Sequence, residues 1–410
     1  MLSVAEAIEI IVQSVKPLPA RRTPLYYALG CRLAEEIASD VDSPPHDKSI
    51  VDGYAIRFDD LVDGKAELQV IEEVTAGRVP KCVVLPGTAV RIMTGAPLPD
   101  GADAVVMVER TSQPAADRVS LDDPKLSRNQ NIVRRGTSMR RGDIVLRPSA
   151  APLNPMQIGL LAEVGRTAAQ VLPRPQAAIL ATGDELVEPY LLPEPGQIRN
   201  SNGPMLQALA LSAKAFPQQL EIARDDRDDL RKKIATGLES DLLLLSGGVS
   251  AGVLDLVPGV LQELGVREVF HKVSVKPGKP VWFGLFVSPE GVTKPVFGLP
   301  GNPVSSLVCF ELFVRPALNV LAGRPSMSGQ VSRTVRLGEA FTHRGDRPTY
   351  WPGRSEHRDD VEVTDPQTVL PLKWHGSGDL RALADADGLL CFPEGDRRYE
   401  AGDEIAFRLF

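Results

Sequence analysis

Four segments in the C-terminal half carry groups able to hold a phosphorylated ligand, and each follows an apolar run. AAILAT leads into Gly183, Asp184 and Glu185; QQLEIAR leads into Asp225 and Asp226. DLLLL leads into Ser246, Gly247, Gly248, Val249 and Ser250, with Asp255 shortly after, and KPVFG leads into Leu299, Pro300, Gly301, Asn302 and Pro303. Paired glycines let backbone N–H groups turn toward an anion, and the hydroxyls of Ser246 and Ser250 add donors; the same dipeptide also makes an ordinary tight turn. Asn302 suits an N-cap and Pro303 a first helical position, which presents a helix N-terminus and Ser305 to solvent, with or without a ligand there. Lys276 and Lys279 flank the Pro-Gly turn of VKPGKP, placing two ammonium groups on a stiff loop, either as an anion site or as solvated charges. The carboxylates Glu185, Asp225, Asp226 and Asp255 repel a phosphorylated ligand unless a divalent cation stands between, and Mg²⁺ suits a few carboxylates plus phosphate oxygens and water. The alternative is that Asp184 and Asp225 cap helices.

These groups need a scaffold that brings strand ends together. From residue 176 the pattern of apolar strand, loop and helix repeats, which predicts a parallel sheet with right-handed crossovers. Ligands bind such sheets beyond the carboxyl ends of the strands, so the four loops are expected on one rim. Residues 49–141 hold short β-branched runs between Gly and Pro and predict a β-rich unit, while 154–164 has helical spacing. After about residue 326 helices vanish, and short strands with Gly-Asp turns predict a small β-barrel. At the N-terminus, Ser3 and Glu6 form a capping box that opens an amphipathic helix without the basic leader of a signal peptide.

A chain of 410 residues with 43% hydrophobic and 24% charged residues is expected to form two to four globular units. Its net charge of −7 provides no broad positive field, so neither nucleic acid nor an anionic membrane is an expected partner. Four separated cysteines lack zinc or dithiol spacing and are expected as reduced core thiols; five histidines show no metal spacing and are expected mostly on the surface or in turns. Apolar runs such as LLLLSGGV are shorter than the roughly 18 to 20 residues of a membrane helix, so a cytoplasmic protein is expected. The absence of G-x-S-x-G, Walker and G-x-G-x-x-G motifs argues against hydrolase, NTPase and dinucleotide readings.

Two upstream segments, PPHDKSIVDGYAIR at 44–57 and VRIMTGAPLPDGADAVVMVE at 90–109, join ATGDEL, SGGVSAGVLD, VKPGKP, GLPGNPVSS and GSGDLRAL in one order. With them nearly the whole chain resembles the molybdopterin molybdenumtransferase family, the MoeA and gephyrin E-domain group. The resemblance implies an elongated α/β multidomain homodimer. Its parts are a connecting and dimerisation region (1–45 plus 142–175), an inserted β-rich subdomain (46–141), a Mog-like parallel-sheet α/β domain (176–325) and a C-terminal β-barrel (326–410). It implies that adenylated molybdopterin and molybdate react with Mg²⁺ present, that molybdenum enters the dithiolene, and that AMP leaves. Carried over by motif position are Asp52, Thr94, Glu185, Asp225, Ser250, Asp255, Lys276, Lys279, Pro300, Pro303 and Ser305.

In that division of labour Asp255, Glu185 and Asp225 hold Mg²⁺, while Ser246, Gly247, Gly248 and Ser250 bind phosphate with Pro300, Gly301, Asn302, Pro303 and Ser305. Lys276, Lys279, Arg347 and Ser377 hold molybdate. The VDGYA and RIMTGAP loops of one subunit face the α/β rim of the other, and a molybdopterin adenylyltransferase is a possible second partner. Two segments depart from the usual family pattern, His46-Asp47-Lys48-Ser49 and HRGDRPTYWPGR. The alternatives are an adenylyltransferase-type activity and a gephyrin-like scaffold.

Overall fold

The computed structural model describes residues 1–249, 256–327, 331–356 and 367–410, so Ser250 and Asp255 lie outside the described residues. Two units partition the chain: Met1–Ala34 with Ser149–Asn154 and Ala169–Phe410, and Glu35–Pro148 with Pro155–Ala168.

The first unit contains the α/β sheet. Its elements in chain order are β1 (Gln176–Ala181), α1 (Asn202–Ser212), β2 (Phe216–Gln219), α2 (Arg227–Gly237), β3 (Leu242–Ser246), α3 (Val257–Glu263), β4 (Arg267–His271), β5 (Trp282–Val287), β6 (Thr293–Leu299) and α4 (Pro303–Cys309). The strand order is β2-β1-β3-β6-β5-β4. Leu242 to Ser246 are all buried because helices cover both faces, which is why this strand is continuously apolar rather than alternating. Ile179, Leu244 and Phe297 pair across the sheet and point into one core with Leu206, Val308 and Phe313. Their neighbours Leu180, Leu243, Leu245 and Val296 point into the opposite core, against Leu230, Ile234 and Leu261.

The register sets the site. Ala181 pairs with Ser246 and Ser246 with Leu299, so three strand ends stand in one row and their loops leave from one edge. The expected all-parallel sheet is corrected at one side: β5 runs antiparallel to both β6 and β4. The connection from β5 to β6 holds only Ser288 to Val292, too short for a parallel crossover. Two reversals return β4 to the direction of β6, so the lysine loop at 272–281 also leaves from the carboxyl edge. The strand expected in QQLEIAR begins earlier, at Phe216, and its ladder is interrupted between Leu220 and Ala223, which bond to Ile179 and Ala181.

Residues Pro303–Leu321 form 19 residues of helix long and apolar enough to cross a membrane, yet 94% of its apolar 18-residue window is buried within the protein. The sequence reading of short apolar runs overlooked it because Glu311, Arg315 and Asn319 interrupt the run. A π-helical turn, Phe310–Val314, lies at its centre. There Glu311 and Arg315 pair bidentately at 2.6 and 2.7 Å with side chains only 2% and 8% exposed, and Arg315 also donates to Ser212 Oγ.

The C-terminal segment closes a five-stranded barrel from Val331–Leu337, Thr368–Pro371, Thr349–Ser355, Gly388–Phe392 and Glu404–Leu409. Val335, Val369, Leu390 and Phe407 fill its interior. The expectation that helices vanish here is corrected by Leu380–Ala384, whose N-cap Asp379 accepts from the Ala382 N–H. The VEVT run at 361–364, one of the short strands expected after residue 326, lies outside the described residues. His343, expected on the surface or in a turn, is instead buried and stacked on Phe392, with its ring nitrogens bonded to Gly395 O and Thr349 Oγ1. All four cysteines are free; Cys31 and Cys309 are buried as core thiols.

The second unit is the β-rich one, a six-stranded sheet ordered Ala104–Met107, Gly53–Ile56, Thr88–Ile92, Lys65–Val74, Arg118–Asp122, Thr111–Ala115. Tyr54, Ile56, Leu68 and Val106 pack one face and Ala55, Val90, Ile92 and Val105 the other. The helix expected at 154–164 is present as Pro155–Glu163.

Candidate active site

The loops after β1, β3 and β6 enclose two adjoining cavities of about 490 and 380 Å³. Thr182, Glu185, Gly247, Gly301 and Asn302 line both, so they form one groove along the carboxyl edge. The groove needs its glycines. Gly247 and Gly248 hold φ of +97° and +64°, and a Cβ on Gly247 falls 2.6 Å from Thr182 O. The turn does not offer both amides to a ligand, however. Gly247 N–H donates to Leu299 O at 3.1 Å, whereas those of Gly248, Gly301 and Asn302 have no partner among the described residues.

Asn302 occupies the N-cap of α4 without capping it; its side chain donates to Ser377 Oγ at 2.9 Å. Ser377 O in turn accepts from Val304 N–H, so the barrel's GSGDL turn closes one end of the groove. Ser377, expected among the molybdate lysines, thus stands beside the Gly301-Asn302 turn. Ser305 is a further correction: expected in solvent, it is 4% exposed, because α4 enters the core within its first turn. Pro300 and Pro303 flank Gly301 and Asn302 in the groove wall.

The acidic loops separate into two kinds. Asp226 is the helix cap, its side chain accepting from the N–H groups of Asp228 and Asp229 at the start of α2. Asp184 accepts from Asp225 N–H at 3.1 Å. Asp225 and Glu185 line the smaller cavity, and their carboxylates make no hydrogen bond or ion pair among the described residues. The capping alternative therefore holds for neither Asp184 nor Asp225; the residue that caps the helix is Asp226. No group of three or more His, Cys, Asp or Glu able to hold a metal occurs among the described residues.

Lys276 is half-buried and fixed through its backbone, donating to Pro348 O and accepting from Tyr350 N–H. This pairing draws Arg347 to the lysine loop, where it donates to Val275 O and pairs with Asp346. That Arg347 hydrogen bond and charge hold the Asp346 carboxyl below its ordinary value. Lys279 is exposed, and neither lysine ammonium is ion-paired among the described residues.

In the second unit Asp52 and Thr94 meet: Asp52 Oδ1 accepts from Thr94 N–H at 2.6 Å and Thr94 Oγ1 at 2.8 Å. These bonds, the backbone one first, hold the Asp52 carboxyl below its ordinary value of 3.8. The bonded form is the carboxylate, so the contact is intact above that value and is lost as pH falls through the depressed one. Thr94→Ala removes the hydroxyl donor but keeps the N–H. The Asp52 titration, followed by carboxyl NMR, is expected to shift upward while staying below 3.8; an unchanged midpoint contradicts the assignment.

Sequence reasoning missed Thr182 and Asn202, both buried and both lining the groove. The signal was present in NSNGP, where Asn200 Oδ1 accepts from Gly203 N–H and starts α1, leaving Asn202 available for other bonds. It also missed His271, whose Nε2 lies 3.1 Å from Val249 O and steadies the residue after the glycine turn.

Three family models match: MoeA N-terminal region (domain I and II) over residues 2–165, probable molybdopterin binding domain over 178–320, and MoeA C-terminal region (domain IV) over 334–410. The chain is 35% identical over 412 residues to the molybdopterin molybdenumtransferase of Staphylococcus aureus (strain COL), covering 98% of this chain and 94% of that one. It is 34% identical over 413 residues to the same-named protein of Staphylococcus epidermidis (strain ATCC 12228 / FDA PCI 1200), with the same coverage. A crystal structure of the molybdopterin biosynthesis moeA protein from Pyrococcus horikoshii superimposes with a TM-score of 0.76 at 31% identity, covering 100% of this chain and 99% of that one. A crystal structure of a molybdopterin biosynthesis moeA protein from Pyrococcus horikoshii OT3 gives 0.70 at 29%, with both chains fully covered. By sequence over nearly its full length and by fold, the chain belongs to the molybdopterin molybdenumtransferase family.

Proposed function

We propose that the chain acts in molybdenum cofactor biosynthesis as a transferase, placing molybdenum from molybdate into the dithiolene of adenylated molybdopterin, with cleavage of the phosphoanhydride and release of AMP. One observation carries the reading. A single groove holds the N–H groups of Gly248, Gly301 and Asn302, which lack partners among the described residues, together with two carboxylates, Glu185 and Asp225, that make no hydrogen bond or ion pair among the described residues. Donors of that kind bind phosphate oxygens; carboxylates beside them tolerate phosphate only with a divalent cation between. Their hard oxygen donors fit Mg²⁺, with Asp255 as the third residue the family motif supplies. Bound Mg²⁺ supplies charge neutralisation at the anhydride.

The protein's own groups divide the remaining work. Gly248, Gly301 and Asn302 orient the phosphates so that the anhydride lies against Glu185 and Asp225. Ser377 holds the Asn302 side chain and belongs to this end of the groove. Lys276, Lys279 and Arg347 form the cationic end, where an oxyanion such as molybdate is held by charge-assisted hydrogen bonds. Asp52 and Thr94 complete the site from a second subunit in a homodimer, and an adenylyltransferase supplies the substrate in the cytoplasm.

Lys279→Ala tests the division. Calorimetric titration is expected to show molybdate affinity about fivefold weaker and AMP affinity changed by less than about twofold, since one exposed cation is worth roughly 1 kcal/mol to the anion it faces. Equal losses for both ligands sink the assignment.

A further inference from the structure

Asn202, the first residue of α1, is 9% exposed and lines the larger cavity. Its amide nitrogen donates to Ser246 Oγ at 2.8 Å and to Gly301 O at 2.7 Å, reaching residues 44 and 99 positions away in the chain. Ser246 ends β3 and begins the Ser-Gly-Gly turn; Gly301 lies in the turn from β6 to α4. Beyond the pairing of Ser246 and Gly247 with Leu299, this is the one side chain among the described residues that links the two turns. The orientation of the amide is fixed by chemistry, because the Gly301 carbonyl can only accept and therefore must face the nitrogen.

Its other end has no such explanation. Among the described residues Asn202 Oδ1 is buried without a hydrogen-bond partner, and so is Thr182 Oγ1 in the same groove, where a Cβ on Gly248 falls 2.9 Å from it. Buried polar atoms left unpaired cost free energy and are retained where the protein uses them. Helix α1 does not require Asn202, since Asn200 provides the side-chain bond to its first turn.

We infer that Asn202 is a positioning residue that sets the spacing of the two glycine turns and thereby the grip of the groove on the ligand's phosphates. This inference rests on the phosphate-binding role proposed above. Without the Asn202 amide, Gly301 and the free N–H groups around it are no longer held at a fixed distance from Gly248. Ligand affinity falls, while the groups next to the anhydride remain in place once ligand is bound.

The experiment uses the full-length chain, with AMP as equilibrium probe and adenylated molybdopterin, molybdate and Mg²⁺ for turnover. Asn202→Ala is expected to raise the AMP Kd and the substrate KM about tenfold, with kcat within about twofold of wild type and a thermal midpoint lowered by no more than a few degrees, the cost of the two lost hydrogen bonds. Asn202→Asp keeps the shape but turns a carboxylate oxygen toward Gly301 O, and is expected to lose at least as much affinity. Wild-type affinity in both variants overturns the inference, and so does a parallel fall of kcat and thermal midpoint with unchanged KM, the signature of a structural residue. Failure of the wild-type chain to bind either AMP or adenylated molybdopterin overturns instead the phosphate-binding role beneath it.

Discussion

Asp225→Asn and Glu185→Gln are each expected to slow AMP release by about two to three orders of magnitude in single turnover, the scale on which electrostatic groups at a reacting centre act. Both side chains are exposed, both line the smaller cavity, and neither takes part in a hydrogen bond or ion pair among the described residues. Nothing in the fold therefore depends on their charge, and thermal midpoints are expected to stay within about 2 °C of wild type. Asp226 is the internal control. It differs from Asp225 by one position but caps α2, so Asp226→Ala is expected to cost about 1 kcal/mol of stability while leaving AMP release at saturating substrate intact. Equal losses of rate in Asp225→Asn and Asp226→Ala contradict the separation of the two roles.

The largest stability effect is expected at Glu311. Glu311→Ala leaves the Arg315 guanidinium buried in the core helix with its bidentate partner gone, and breaking such a pair costs about 3–5 kcal/mol. Denaturant unfolding of the full chain should show that loss in the transition reporting the α/β unit. Replacing both residues with leucine is expected to recover most of it, because the desolvation cost of both charges disappears with them. A single variant within about 1 kcal/mol of wild type contradicts the assignment of the pair as a buried, mutually dependent unit.

Loops that follow long apolar runs were legible from the sequence, because a run such as Leu242–Leu245 has only a sheet interior to occupy and its end must carry the first polar residues. Hence Gly247, Glu185 and Asn302 were placed on one rim. The reversal at β5 was not legible: the hairpin depends on a short connection at Ser288 to Val292, and the flanking segments carry no marker of direction. Ser305 is not legible because a helix start ordinarily lies at the surface, whereas α4 runs directly into the core. Asp225 and Asp226 are equivalent in sequence; only backbone geometry decides which one turns back to cap α2. Ser377, His343 and Asn202 share a cause. Each owes its role to partners distant in the chain, Asn302, Gly395 and Gly301 respectively, and local pattern contains no trace of those pairings.

The central claim, molybdenum insertion coupled to anhydride cleavage, is tested most directly by AMP release from the purified full chain. The assay supplies adenylated molybdopterin, molybdate and Mg²⁺, with each component omitted in turn and with Asp255→Asn in parallel. The account predicts AMP formation that needs all three components and is lost in the variant. Binding of adenylated molybdopterin without AMP release, with molybdate or with tungstate in its place, contradicts it and leaves the protein a carrier or scaffold.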